Sequence, residues 1–502
     1  MLLPPTFDEL IKDNHPVRVV NKVLESLDTG PLLKKYKGGG TSSYHPKMLL
    51  KVLVYAYISN IYSSRKIEEA CTQNIHFMWL SAMQKPDHNT INRFRSERLR
   101  DVLRHIFTQV VQLLAAEGLL SLKELYVDGT KIEAAANRYT FVWGNAIKTN
   151  KEKIGRQLDE LWAYAQKVAA EEMDAPEPPD FTHIDSEKVK ETIASIDAAL
   201  KDNPGADKKI KAKLRYGALH WPAALDKYKV QEKILAGRNS YSKTDPDATF
   251  MRMKEDHMEN GQLKPGYNVQ IATSGQYVVD YTIHPNPTDT TTLIPHLEQI
   301  REDYNLIPEV VTADAGYGSE QNYQYLEAEG VAAYVKYNYF DKDQSEAGRD
   351  KRPFTPDKLY YNSERDCYIC PMGQVMENIG MAQKQTATGI KQTITRYRAK
   401  RCEGCPLRGV CHKGKGDRVM EINHNLNRLR DLATERLTSE KGIYHRKRRP
   451  WDVEPVFGNV KGNHGFRRFM LRGNEKVEIE TGLLMLAQNL RKKTAANNRK
   501  AA

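Results

Sequence analysis

The sequence lacks long apolar runs: no window of its 502 residues approaches the length needed to cross a bilayer, and mean hydropathy is −0.65. Its first residues, MLLPPTFDELIKDNHP, show no basic segment followed by an uninterrupted apolar stretch, so neither a secretory leader nor a membrane partner is expected, and the chain reads as soluble and intracellular. Cysteine is scarce. Of the six present, five fall between Cys367 and Cys411 and only Cys71 lies elsewhere, a clustering that suggests a metal knuckle in a reducing compartment rather than a disulfide scaffold. Acidic residues are outnumbered, 64 against 76 Lys and Arg, leaving a net charge of +12.

That positive excess is concentrated late, in YHRKRRP (444 to 450), GFRRFMLRG (465 to 473) and NLRKKTAANNRK (489 to 500). A single basic run is usually a solvated face; three runs flanking one acidic motif suit a phosphate backbone. A chain of this length also exceeds one ordinary core, so two or three domains, or one core with insertions, are expected.

Periodicity divides the chain. Residues 1–120 read as helical: Pro46 fits a first helical position, followed by Leu49, Val52, Leu53, Ala56 and Tyr57 at helical spacing. Ser64 is a candidate cap, and Asp87 caps a segment from His88 to Arg100. In a helix-turn-helix arrangement that segment would present Asn89, Asn92, Arg93, Arg95 and Arg98 to DNA; a plain helical bundle with its polar residues in water is an equal alternative.

Residues 121–144 and 245–340 carry the strand signals. The run Leu125-Tyr126-Val127 ends on Asp128, GYNVQIATS and QYVVDYTIHP suggest a hairpin turning near Ser274-Gly275, and Glu309 to Ala313 ends on Asp314 before a helix that Ser319 caps and Gly330 closes. The order is strand, hairpin, helix, strand, helix, strand. Residues 145–244, charged and helical with the break DAPEPPD, read as one insertion; 341–443, holding the cysteines, as another; 444–492 as a further helical part of the core; and 493–502 as a basic tail.

Asp128 and Asp314, at the ends of neighbouring parallel strands, would be side by side and repel unless something positive lay between them. Hard carboxylate oxygens suit a pair of Mg²⁺ or Mn²⁺ ions, the arrangement for displacement at phosphorus. Singly, each Asp is as well explained as a turn residue. The third candidate is Glu454, in a helix expected to start with Asp452 as its cap and Pro455 in its first turn; seven residues on, Lys461 would share its face. On spacing alone a surface ion pair explains that couple better. The cysteines form C-x2-C at Cys367 and Cys370 and again at Cys402 and Cys405, which resembles a zinc ribbon with a structural Zn²⁺; Cys411 and His412 follow, and reduced thiols that bind nothing are the alternative.

The blocks YVDGTKIEA (126 to 134), TDPDA (244 to 248), PGYNVQ (265 to 270), TADAGYGSEQNY (312 to 323) and VEPVFGNVKGNHGFRRFMLRG (453 to 473) resemble those of bacterial insertion-sequence transposases with a DDE triad. The resemblance implies an α/β fold, an RNase H-like mixed-sheet core with an N-terminal helical domain that binds DNA ends, and a triad of Asp128, Asp314 and Glu454 holding two Mg²⁺ or Mn²⁺ ions. It implies double-stranded DNA as partner, at the element's terminal repeats and at the target, a homodimer on that DNA, and a nucleoid-associated place in the bacterial cytoplasm. Relatives carry a Tyr, an Arg, the catalytic Glu and a Lys at set spacing; Tyr444, Glu454 and Lys461 are the counterparts here, while Pro450 stands at the Arg position and Arg448 or Arg449 takes its place. Lys461, Arg467 and Arg468 would hold phosphates, with Asn89, Arg93 and Arg95 reading terminal sequence. A DNA-binding regulator that no longer cuts, and a nuclease that cleaves without joining, are the other readings.

Overall fold

A computed structural model describes residues 5–36, 44–168, 180–201, 206–253, 261–345, 354–386 and 389–501, in which the chain forms two compact units. Most of the expected break DAPEPPD lies outside the described residues. The strands, in chain order, are β1 Glu124–Glu133, β2 Phe141–Trp143, β3 Ser240–Ser242, β4 Thr249–Arg252, β5 Leu263–Ser274, β6 Tyr277–His284, β7 Val310–Ala313, β8 Ala332–Val335, β9 Tyr361–Asn362, β10 Cys367–Ile369, β11 Val375–Gln385, β12 Lys391–Arg398 and β13 Val419–Ile422.

The first unit takes residues 1–130, 268–467 and 478–502. Its N-terminal part is helical, as the periodicity indicated. The helix Pro46–Ile58 begins at Pro46, with His45 Nδ1 accepting from Lys47 N, and is buried nearly all round, the mark of a central rather than a surface helix. Asp87 caps His88–Arg93, its Oδ1 accepting from Asn89 N at 2.8 Å and Thr90 N at 3.0 Å. Ser64 is the first residue of its helix rather than the cap, a place held by Ser63 without a side-chain bond.

The core of this unit is a mixed sheet in the order β6, β5, β1, β7, β8, with helices around it. β1 and β7 are parallel, with Glu124 opposite Val310 and Tyr126 opposite Thr312, and β7 and β8 are parallel in turn. Strands covered on both faces read as continuous apolar runs, which is why Leu125, Tyr126 and Val127 are all buried. β5 and β6 form the expected hairpin, and Gly275 and Gln276 both take positive φ, 57° and 63°, as the tight primed turn requires. The mixed α/β architecture with its N-terminal helices is that of an RNase H-like core. A second, antiparallel sheet follows in the order β13, β12, β11, β10, β9 around a small core that includes Tyr368, Met376 and Tyr397.

The helix Glu440–Gly458 departs from expectation. It does not start at Asp452 but runs through Pro450 and Pro455, each of which forfeits one backbone hydrogen bond. Asp452 is fully buried inside it and serves a distant turn: its carboxylate accepts from Gly275 N at 3.0 Å and Gln276 N at 2.9 Å, while Gln276 Nε2 donates to Trp451 O at 2.9 Å. The helix is thereby fastened to the tip of the β5–β6 hairpin.

The second unit takes residues 131–267 and 468–477. Its helices Gly144–Val168, Ser186–Leu200 and Lys208–Leu235 pack around Leu158, Leu161, Trp162, Ile196, Leu214 and Trp221, and β2 pairs antiparallel with β3. Among the described residues no helix is long and apolar enough to cross a membrane.

Candidate active site

Two residues past the Tyr126–Thr312 pair, along parallel strands, come Asp128 and Asp314. The register therefore brings the carboxylates to one level. Asp314 follows directly on the end of β7, as read from sequence, whereas Asp128 lies inside β1, which continues to Glu133. Each carboxylate is pinned locally, Asp128 Oδ1 accepting from Gly129 N at 2.9 Å and Asp314 Oδ1 from Gly316 N at 2.8 Å.

Arg449, one residue before Pro450 on the long helix, supplies positive charge between the acids. Its Nη2 is 2.9 Å from Asp128 Oδ1 and 3.5 Å from Asp314 Oδ2. Two carboxylates this close need a cation, and in this arrangement the guanidinium is that cation.

A further acid, Asp289, lies beside Gly129 and Gly316 and was not legible in the sequence, where TDTTT looks like an ordinary polar turn. Its Oδ1 accepts from Asn268 Nδ2 and Gln270 Nε2, both at 2.8 Å, from strand β5. A Cβ on Gly129 would meet Gln270 Nε2 and Asp289 Oδ1, so any larger residue after Asp128 would push these two side chains out of their hydrogen bond. The buried phenol of Tyr317, which donates to Gln270 Oε1, is held well above its ordinary pKa by burial and then by Asp289, Asp128 and Asp314, with Arg449 opposing.

Glu454 lies five residues beyond Arg449 on the same helix and is exposed. It does not share a face with Lys461, because a π-turn over Asn459–Asn463 breaks the 3.6-residue repeat and Lys461 is buried. Among the described residues no three His, Cys, Asp or Glu side chains stand close enough to hold a metal ion, so the triad is not assembled here.

The basic residues sort into two groups. Asn89, Arg93 and Arg467 are exposed, Tyr444 is half exposed, and Arg448 donates to Tyr444 Oη at 2.8 Å while lying over Trp451. Arg95 is a correction to the expected DNA contacts, whereas Arg468 stays half exposed. Arg95 is buried within the helices, donating to Tyr62 O at 2.7 Å and Tyr57 Oη at 3.3 Å, because a π-turn at Phe94–Arg98 rotates it inward. Arg468 is held by Ala134 O at 3.0 Å and Ala136 O at 2.8 Å. His464, four residues before Arg468, has its pKa lowered to about 4 by burial and then by Arg491, which keeps the ring neutral.

The mixed sheet, with Asp128 and Asp314 level on adjacent parallel strands beside the helix Glu440–Gly458, has the architecture of an RNase H-like core. A family model described as a transposase DDE domain matches residues 369–494, and one described as a transposase domain (DUF772) matches residues 5–97. Both matches are to transposase families, and they support a DDE-type transposase of the insertion-sequence kind. Glu454 falls inside a matched span; Asp128 and Asp314 fall between the two. No curated protein and no solved structure matches the chain.

Proposed function

We propose that this transposase binds the ends of its own insertion sequence and carries out strand cleavage and strand transfer at a site formed by Asp128, Asp314 and Glu454. The observation that supports it most is the register of β1 on β7, which levels two carboxylates so closely that one guanidinium reaches both. Such an oxygen-rich, cation-demanding pair suits Mg²⁺ or Mn²⁺, which Asp128, Asp314 and Glu454 would hold. When bound, those ions supply Lewis-acid activation of the attacking and leaving oxygens at phosphorus. The chain's part is to orient: Gly129 N and Gly316 N fix the carboxylates, the Asp452 clamp fixes the helix of Glu454, and Asp289 with Gln270 braces the strand beneath.

DNA contact is assigned to the exposed residues Asn89, Arg93, Arg467, Arg468 and Tyr444 and to the partly exposed Arg448; buried Lys461 and Arg95 take structural parts. Both element ends must be handled together, so two copies of the chain act on DNA. The test is cleavage and joining of a labelled duplex bearing the element's end. Wild type nicks the end and joins it to a target, while Asp128→Ala, Asp314→Ala and Glu454→Ala bind but do not cut; a wild type that binds and never cuts would make this a regulator.

A further inference from the structure

Four of the six cysteines line a single pocket beside the second sheet: Cys370, just past β10, and Cys402, Cys405 and Cys411 in the connection from β12 to β13. We infer that these four thiols, and not the two C-x2-C pairs of the sequence, bind one structural zinc ion that staples this connection to the sheet.

Strand geometry excludes Cys367. Neighbouring residues on a strand point to opposite faces, and Tyr368 with Cys370 packs on the small core while Cys367 is buried on the other side, outside the pocket. Cys411 takes its place. Cys402 and Cys405 flank Gly404, whose φ of +69° makes the tight turn that lets both sulfurs of a C-x2-C pair face one point.

The surroundings suit thiolate ligands. Gln374 N donates to Cys370 Sγ at 3.3 Å, Arg418 N to Cys402 Sγ at 3.4 Å, and Arg418 Nη1 to Cys411 Sγ at 2.9 Å, the kind of outer contacts that orient metal-bound sulfur. A zinc ion with four thiolates carries two net negative charges, and Arg401, Arg408 and Arg418 line the same pocket to balance them. His412 also lines it, and its Nε2 is buried with no hydrogen-bond partner among the described residues, a polar atom left unsatisfied beside the sulfurs.

The fold here also needs a staple. From Ala399 to Arg418 the chain has neither helix nor strand, and the sheet it leaves rests on a core of only six buried residues. No three of the ligands already stand at metal spacing among the described residues, so zinc binding requires this irregular connection to draw them in, with the thiol protons released to solvent.

The inference is independent of the DNA chemistry, and its test reads metal, not activity. Zinc per chain is measured in the purified full-length protein, with cobalt(II) substitution to read thiolate-to-metal absorption. One zinc per chain is expected, kept by Cys367→Ser and His412→Ala and lost by Cys370→Ser, Cys405→Ser and Cys411→Ser. Because a variant can lose metal by failing to fold, a mercurial titration of the wild type is run beside them, where zinc must leave as thiols are blocked. A wild type without zinc, zinc that survives Cys411→Ser, or zinc lost with Cys367→Ser overturns the assignment.

Discussion

The Arg449 guanidinium lies 2.9 Å from the Asp128 carboxylate, and through the same nitrogen it reaches Asp314 at 3.5 Å. It therefore satisfies the electrostatic demand that the proposed metal ions would also satisfy. Replacing Arg449 by Met removes the guanidinium from beside the largely buried Asp128 carboxylate, a loss of about 3 kcal/mol in the absence of divalent ions. Mg²⁺ should then raise the melting temperature of Arg449→Met more than that of wild type. Equal stability without Mg²⁺ would show that Arg449 does not compensate the acids.

The Asp452 clamp makes a separate prediction. Asp452→Ala strands the N–H groups of Gly275 and Gln276 and frees the helix from the hairpin tip, at a cost of about 3 kcal/mol in urea unfolding. Asp452→Asn keeps one acceptor and should cost clearly less. Activity should fall with Asp452→Ala even at temperatures where the protein remains folded, since Glu454 rides on the same helix.

Acidification should destabilise the fold through buried histidines. His296 is fully buried and its pKa is lowered to about 3, first by burial, then by His284 and Arg104. The unfolded chain takes up its proton near pH 6.5 while the folded chain does not, so stability is full above pH 6.5 and falls as pH drops towards 3. The slope from this one group is at most about 1.4 kcal/mol per pH unit. Urea midpoints at pH 7 and pH 5 should differ, and His296→Gln should make the difference smaller; an unchanged difference would assign the acid sensitivity elsewhere.

Arg93 and Arg95, two residues apart, should separate DNA binding from folding. Arg93→Ala, on the surface, should leave stability within about 0.5 kcal/mol and lower the salt dependence of DNA binding by about one phosphate contact. Arg95→Ala removes the donor to Tyr62 O and Tyr57 Oη and should lower the melting temperature instead.

Local signals in the sequence carried the elements that local physics governs. Pro46, Asp87, Ser319 and Gly330 mark helix ends because their backbone preferences act within a few residues, and the apolar runs before Asp128 and Asp314 read as buried parallel strands. What escaped depends on distant partners. Asp452 looked like a cap because capping is the usual use of Asp before a helical proline; its actual partners, Gly275 and Gln276, lie far away in sequence. Asp289 carried no local signal because its partners Asn268 and Gln270 lie some twenty residues away on strand β5. The π-turns at Phe94–Arg98 and Asn459–Asn463 shifted Arg95 and Lys461 inward, a rotation that a 3.6-residue reading cannot anticipate.

The central claim is that Asp128, Asp314 and Glu454 act as one metal-binding set. It is tested most directly by replacing each with Cys and measuring strand cleavage of the element's end in Mg²⁺ and in Mn²⁺. A thiolate binds Mg²⁺ poorly and Mn²⁺ better, so all three variants should be inactive in Mg²⁺ and regain part of their cleavage in Mn²⁺. A variant that cleaves like wild type in Mg²⁺, Glu454→Cys above all, would contradict the claim.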